Sequence, residues 1–157
     1  MLTIELDNYD WRILKALQTN ARLSNVSLSE LINLSPSQCS RRLQRLEQSQ
    51  LITGYFTQLD ADQLGFGVTA FVSVTLEKHG ENPALHFHQE IQNIPTILEC
   101  YSVTGDADYL LRVVSPDLKT FSDFLMDHLI SIASVSHVKS TVVLNKIKSS
   151  NSLPLPI

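Results

Sequence analysis

Leu34-Ser35-Pro36-Ser37-Gln38-Cys39-Ser40-Arg41-Arg42-Leu43-Gln44-Arg45-Leu46-Glu47 is the stretch on which the reading of this chain turns. It carries the clearest helix start in the sequence. Ser35 suits the N-cap, and Pro36 suits the first helical position, where a missing N–H costs nothing. Gln38 falls at the third position, from which its side chain can reach back and close a capping box. Cys39, Leu43 and Leu46 recur at i, i+4 and i+7 and make one apolar face. At about 100° per residue, Ser37, Gln38, Arg41, Arg42 and Arg45 are left on outward or flanking faces. Within residues 36–49 these three arginines meet one acid, Glu47, so the helix carries a small basic face.

Toward the N-terminus two more helices are expected. Residues 7–18 have Asp7 as N-cap, Asp10 in the first turn, and Trp11, Ile13, Leu14 and Leu17 on the apolar side. A short helix follows, capped by Ser24 or through the pattern Ser27-x-x-Glu30, with Leu28, Leu31 and Ile32 inward. Asn33 sits at the turn, where Asn tolerates the left-handed conformation. Two short helices across a tight turn, the second with Arg and Gln outward, form a helix-turn-helix pattern. A three-helix packing module whose arginines only solvate a surface fits the same spacing. If the module reads DNA, Ser35, Ser37 and Gln38 can bond phosphates or base edges at a helix N-terminus that favours anions. Arg41 can reach guanine in the major groove, and Arg45 suits the DNA backbone. Arg42 either contacts DNA or braces the fold beside Leu43 and Leu46.

Toward the C-terminus Ile52–Leu59 is expected to be extended and 60–67 to be a linker. Beyond Gly67 the period changes to alternation, with Val68, Ala70, Val72, Val74 and Leu76 on one face of a strand. A helix over 82–93, strands at about 97–104 and 108–114, a helix over about 117–132 and a strand over about 137–147 follow. Gly105-Asp106-Ala107 marks the hairpin between the middle strands. The order β-α-β-β-α-β is the ferredoxin-like split motif, so the fold class is α+β. The expected division is a helix-turn-helix (winged-helix-like) domain over 1–59, a ferredoxin-like domain over 68–148, and a tail over 149–157. Two helices cover one face of that sheet, and the bare face, with Phe71, calls for a dimer.

Composition bounds the function. The 157 residues carry a net charge of −4, with 43% hydrophobic and 18% charged residues, ordinary values for a globular protein. Residues 1–65 hold six Lys/Arg against seven Asp/Glu, and the remainder holds six against nine. A basic patch on an acidic chain suits specific docking better than indiscriminate coating of DNA. No membrane-length apolar run or signal peptide is evident, so a cytoplasmic protein is expected. Cys39 and Cys100, without C-x-x-C spacing, are expected to be small buried apolar groups. No metal site or cofactor is expected. His86 and His88 point in different directions on one helix, His79 and His137 lack matching partners, and His128 lies near an apolar helical face. No phosphate loop, nucleophile elbow or dinucleotide fingerprint points to an enzyme.

Several runs together resemble the Lrp/AsnC, or leucine-responsive (feast/famine), family of transcriptional regulators. They are Leu6-Asp7-x-x-Asp10-x-x-Ile13-Leu14, Asn20-Ala21-Arg22-Leu23-Ser24, Leu34-Ser35-Pro36-Ser37, Arg42-Leu43-x-x-Leu46-Glu47, Ile52-x-Gly54-Tyr55, and Val103-Thr104-Gly105-Asp106-x-Asp108-Tyr109-Leu110-Leu111. The resemblance spans roughly residues 3–148. Asn33 and Gln50 stand where the family commonly has Gly. The resemblance implies a regulator that binds double-stranded DNA, dimerises through its second domain, assembles further (often to octamers), and binds an amino acid near the contact between dimers.

An amino-acid effector needs an anion for its ammonium group, amides for its carboxylate, and a pocket for its side chain. Gly105 permits a nest of amides, and Asp106 and Asp108 supply carboxylates, although Gly and Asp also favour a plain turn. By resemblance the sensing region includes Ser102, Thr104, Leu118, Thr141, Val142 and Val143, of which Leu118 and Thr141–Val143 favour an apolar side chain such as that of leucine or methionine. A ligand-independent architectural DNA-binding protein, and a small-molecule sensor or enzyme on a ferredoxin-like fold, are the alternatives.

Overall fold

A computed structural model describes residues 4–77 and 82–156; His79 lies outside them. The chain divides into two compact units, Met1–Gln58 with Lys148–Ile157, and Leu59–Ile147.

The first unit holds α1 (Asn8–Thr19), α2 (Asn25–Ile32) and α3 (Pro36–Gln48). Local chemistry sets all three starts. Asp7 caps α1 in a reciprocal box with Asp10, Ser24 caps α2 through the Ser27 N–H, and Ser35 caps α3 in a box with Gln38. Ile13, Leu28, Ile32, Cys39 and Leu46 form its buried core. Leu31 is exposed instead of inward. It follows the short inward face of α2, which Leu28 and Ile32 already fill. Ile52–Leu59 runs without pairing into a strand. Residues near the C-terminus rest on α1, where the Gln18 side-chain amide accepts from Leu153 N–H at 2.6 Å and donates to Leu153 O at 3.2 Å.

The second unit is a four-stranded antiparallel sheet in the order β2-β3-β1-β4, formed by β1 (Val68–Leu76), β2 (Ile97–Ser102), β3 (Tyr109–Ser115) and β4 (Val135–Val142). With α4 (Pro83–Gln92) and α5 (Leu118–Phe124) this is the expected ferredoxin-like order. Even-numbered residues of β1 face a core with Phe87, Ile91, Leu111, Val113, Phe121, Phe124 and Leu129. Phe71, Arg112 and Thr141 meet on the other face, where Phe71 is 39% exposed.

Three expectations differ from the structure here. The last strand stops at Val142, which pairs with Ala70; Val143 N–H still bonds Thr69 O at 2.8 Å, and beyond that β1 has only its first residue, Val68, so the ladder runs out. The last helix gives way after Phe124 to a π turn, Leu125–Leu129, closed by Ile130 N–H to Leu125 O. That wider turn leaves His128 exposed while Leu129 and Ile132 reach the core. Cys100 is exposed rather than buried, because β2 is an edge strand. Among the described residues no helix is long and apolar enough to cross a membrane.

Asn33 and Gln50 adopt φ of 59° and 58°, the left-handed turns that Gly makes without strain. Asn is the residue after Gly that visits this region most readily, whereas Gln50 has only an exposed side-chain bond, from Nε2 to Glu47 O at 3.3 Å, to set against the strain. Gln50→Gly should therefore stabilise the first unit by up to about 1 kcal/mol, and Asn33→Gly by less. Urea unfolding followed by Trp11 fluorescence checks the order of the two midpoints at unchanged m.

Candidate functional site

Helix α3 has three faces rather than two. Cys39, Leu43 and Leu46 point into the core. Ser37, Arg41, Gln44 and Gln48, spaced i, i+4, i+7 and i+11, form an exposed polar stripe. Arg42 and Arg45, one turn apart, turn toward α1.

Their target is Asp10, whose side chain is fully buried. Arg42 Nη1 donates to Asp10 Oδ1 at 2.8 Å and to Asp7 Oδ2 at 2.8 Å, with its guanidinium carbon 5.4 Å from the centroid of the Tyr9 ring. Arg45 Nη2 donates to Asp10 Oδ2 at 2.5 Å and to Glu5 O at 3.5 Å. Asp10 Oδ2 also accepts the Asp7 N–H at 3.1 Å. Desolvation pushes the Asp7 carboxyl up, but the Asp10 N–H and Arg42 outweigh it and hold the group below its ordinary value. Removing one partner of a buried pair costs on the order of 3–5 kcal/mol, against about 0–1 kcal/mol for an exposed pair. Both guanidiniums are engaged by the protein, Arg42 by two carboxylates and the half-exposed Arg45 by Asp10 and the Glu5 carbonyl, and the larger cost applies if both leave Asp10. Arg41 is exposed and has no ion pair among the described residues.

The first turn of α3 is already internally bonded. Ser35 Oγ accepts from Gln38 N–H at 3.3 Å, and Gln38 Oε1 accepts from Ser35 N–H at 3.2 Å and from Ser35 Oγ–H at 3.0 Å. Beyond the helix, Tyr55 donates its hydroxyl proton to Glu47 at 2.8 Å. Burial, and then the Glu47 carboxylate, push that phenol up to about 12.

In the second unit the sequence-predicted effector residues fall into two groups. Ser102, Thr104, Gly105, Asp106 and Asp108 lie on and beside the β2–β3 turn, next to the end of β1, where Asp108 N–H bonds Val74 O at 3.0 Å. Gly105 adopts φ 116° with open space where a Cβ would sit. Asp108 Oδ2 accepts the Leu76 N–H at 2.7 Å, a bond that fastens the turn to β1. Asp106 is exposed. Leu118, Thr141, Val142 and Val143 lie at the start of β1, where Val143 N–H bonds Thr69 O at 2.8 Å and Gly67 N–H bonds Pro116 O at 3.2 Å. From Thr69 to Thr75 the strand spans about 20 Å at ~3.3 Å per residue. One chain does not bring the two groups together. The sequence could show each group, but their separation depends on strand order.

On the open sheet face Glu99 and Arg112 form a two-pronged ion pair at 2.9 and 2.7 Å, an interaction that spacing alone did not reveal. The histidines make ordinary contacts: His88 meets the Tyr109 hydroxyl at 3.0 Å, and His86 meets Glu90 at 3.7 Å.

Two family models match the chain: a winged helix-turn-helix DNA-binding domain over residues 6–53 and the Lrp/AsnC ligand binding domain over residues 69–153. The chain is 39% identical to the Bkd operon transcriptional regulator of Pseudomonas aeruginosa, covering 96% of this chain and 99% of that protein. It is 36% identical to the leucine-responsive regulatory protein of Escherichia coli K12, covering 95% and 91%. It resembles the crystal structure of a Neisseria meningitidis transcriptional regulator in complex with L-Met, with a TM-score of 0.94, 39% identity, and coverage of 97% and 98%.

Arg112 hydrogen bonding, opposed by desolvation and helped by Tyr101, holds Glu99 below its ordinary value. A lowered carboxyl contributes stability above the unfolded pKa and loses it as pH falls through the folded one. Glu99→Gln should thus destabilise the protein at neutral pH by no more than about 1 kcal/mol, given the pair's exposure. Urea midpoints of variant and wild type should converge as pH drops below the ordinary glutamate value.

Proposed function

This chain belongs to the Lrp/AsnC family of transcription regulators, and we propose that it reads duplex DNA through the Ser37–Arg41–Gln44 stripe and responds to an apolar amino acid bound between copies. The helix-turn-helix supplies DNA binding and the second unit is a ligand-binding domain. The observation that carries the DNA reading is Arg41, an exposed and uncommitted guanidinium midway along a doubly capped helix. Arg pairs its donors with guanine O6 and N7 in the major groove. Ser37 and the free amide of Gln38 flank it at the anion-favouring end of the helix.

The division of the effector residues supports a shared site. A single free amino acid cannot bridge the ~20 Å between the two ends of β1. It can touch the Gly105–Asp106 turn of one copy and Leu118 with Thr141–Val143 of another. The L-Met complex of the Neisseria relative and the apolar side chains at the far end favour methionine or leucine. Asp106, not engaged as Asp108 is, suits the ligand's ammonium group. The open sheet face, with Phe71 and the Glu99–Arg112 pair, suits a homodimer, and ligand-bearing contacts between dimers build a larger assembly. A cytoplasmic location accords with these partners.

Arg41→Ala should flatten the salt dependence of DNA binding by ~1 if the contact is to phosphate, or cost ~1–3 kcal/mol and relax specificity if it is to a base. Unchanged affinity and slope in the folded variant would remove this stripe from the interface. For sensing, calorimetry with L-methionine and L-leucine should show binding that Asp106→Asn and Leu118→Asp each abolish. After subunit exchange a mixture of the two variants should recover part of the sites, because intact halves then meet. No recovery would place the site within one chain.

A further inference from the structure

We infer that Asp10 is a specificity-determining residue: it withholds Arg42 and Arg45 from the DNA backbone, so that α3 offers nucleic acid one free cation instead of three. The inference rests on the DNA reading given above and concerns how that same helix discriminates.

The geometry bears on each arginine separately. Arg42 is held by two carboxylates at 2.8 Å and lies against the Tyr9 ring, with its side chain 22% exposed. Arg45 is half exposed, yet its Nη2 is tied to Asp10 and to the Glu5 carbonyl. Asp10 itself is 0% exposed. Were both guanidiniums to swing out to phosphates, its carboxylate would stay behind without water or a counter-charge, which is the costliest state for a buried ion. A phosphate contact made from the surface does not offset that loss.

The charges in this cluster balance, with Asp7 and Asp10 against Arg42 and Arg45. Non-specific DNA affinity follows the number of cations that neutralise phosphates, whereas sequence is read by contacts to base edges. Neutralising two arginines lowers the attraction to every sequence equally. It leaves Arg41, with the neutral Ser37 and Gln44, to make contacts that depend on sequence. Asp10 is thus a positioning residue whose effect is on the ratio of specific to non-specific binding.

The test uses the full chain with two duplexes, one from the region upstream of its own gene and one of unrelated sequence. Asp10→Asn keeps the shape and the hydrogen-bond acceptor but removes the charge. It should tighten binding to the unrelated duplex at low salt by tenfold or more and steepen the salt slope by ~1–2. The preference for the upstream duplex should fall. Adding Arg45→Gln to Asp10→Asn should remove about half of the extra slope. A fold role alone would move the Trp11-monitored unfolding midpoint and leave the slope where it was. The inference is overturned if folded Asp10→Asn binds the unrelated duplex with unchanged slope or more weakly. It is equally overturned if Arg45→Gln in the wild-type background flattens the slope, since Arg45 would then already touch phosphate; this arm decides the matter should Asp10→Asn not fold. A wild type that binds neither duplex removes the DNA reading and the inference with it, whereas wild-type binding with an unchanged Asp10→Asn slope removes the inference alone.

Discussion

A carboxylate that water cannot reach organises the DNA-binding unit. Asp10 belongs to the first turn of α1, and its counter-charges come from α3, more than thirty residues later in the chain. A buried carboxylate persists only with charge-assisted donors around it. This requirement couples the two helices in register: sliding or rotating α3 by one residue would carry Arg42 and Arg45 away together. The capping boxes at Asp7 and Ser35 fix where each helix begins, and the pairing at Asp10 fixes how they face each other. The outward stripe of α3 follows as the remainder, once one face is given to the core and another to the acid.

The second unit depends instead on a strand. β1 pairs with both β3 and β4, so its register places the β2–β3 turn at one end and the end of β4 at the other. Asp108 reinforces this arrangement by accepting the Leu76 N–H, which would otherwise lack a partner near the end of the ladder. A residue that resembles a ligand contact is therefore also a structural fastener, and its substitution confounds the two roles. Asp106, exposed in the same turn, separates them.

Much of this was legible in the sequence because the deciding signals are local. N-caps at Asp7, Ser24 and Ser35, the left-handed position Asn33, and the alternation over Val68–Leu76 each involve residues a few positions apart. What was not legible is what depends on partners distant along the chain. Helical periodicity sets Arg41 and Arg45 outward and leaves Arg42 between touching DNA and bracing the fold, but it cannot show that an acid on α1 takes both Arg42 and Arg45. Cys100 reads as buried by residue type, yet its strand lies at a sheet edge. The last strand reads as extended to 147, but its ladder runs out at the start of β1. The π turn over Leu125–Leu129 leaves no mark in an apolar pattern that an ordinary helix would also satisfy.

If DNA is read through α3 as proposed, a protein of net charge −4 whose α3 offers one uncommitted arginine gains little phosphate neutralisation from that helix as a single copy. Linking several such helices makes each later contact intramolecular, and weak modules then combine into firm binding. On the proposed reading, affinity is thus a property of the assembly, and whatever governs assembly governs transcription. A ligand whose site is divided between copies has almost no affinity for the separate chain. Such a difference in affinity is the one thing an effector must have in order to shift an equilibrium. No wire between the two units is then needed, because the amino acid acts on how many helices are joined. Linkage makes the relation reciprocal: DNA that gathers copies into the ligand-bearing arrangement must also tighten the ligand, and DNA that gathers them differently must expel it. The sign of the response can therefore differ from one promoter to another with the same protein and the same amino acid.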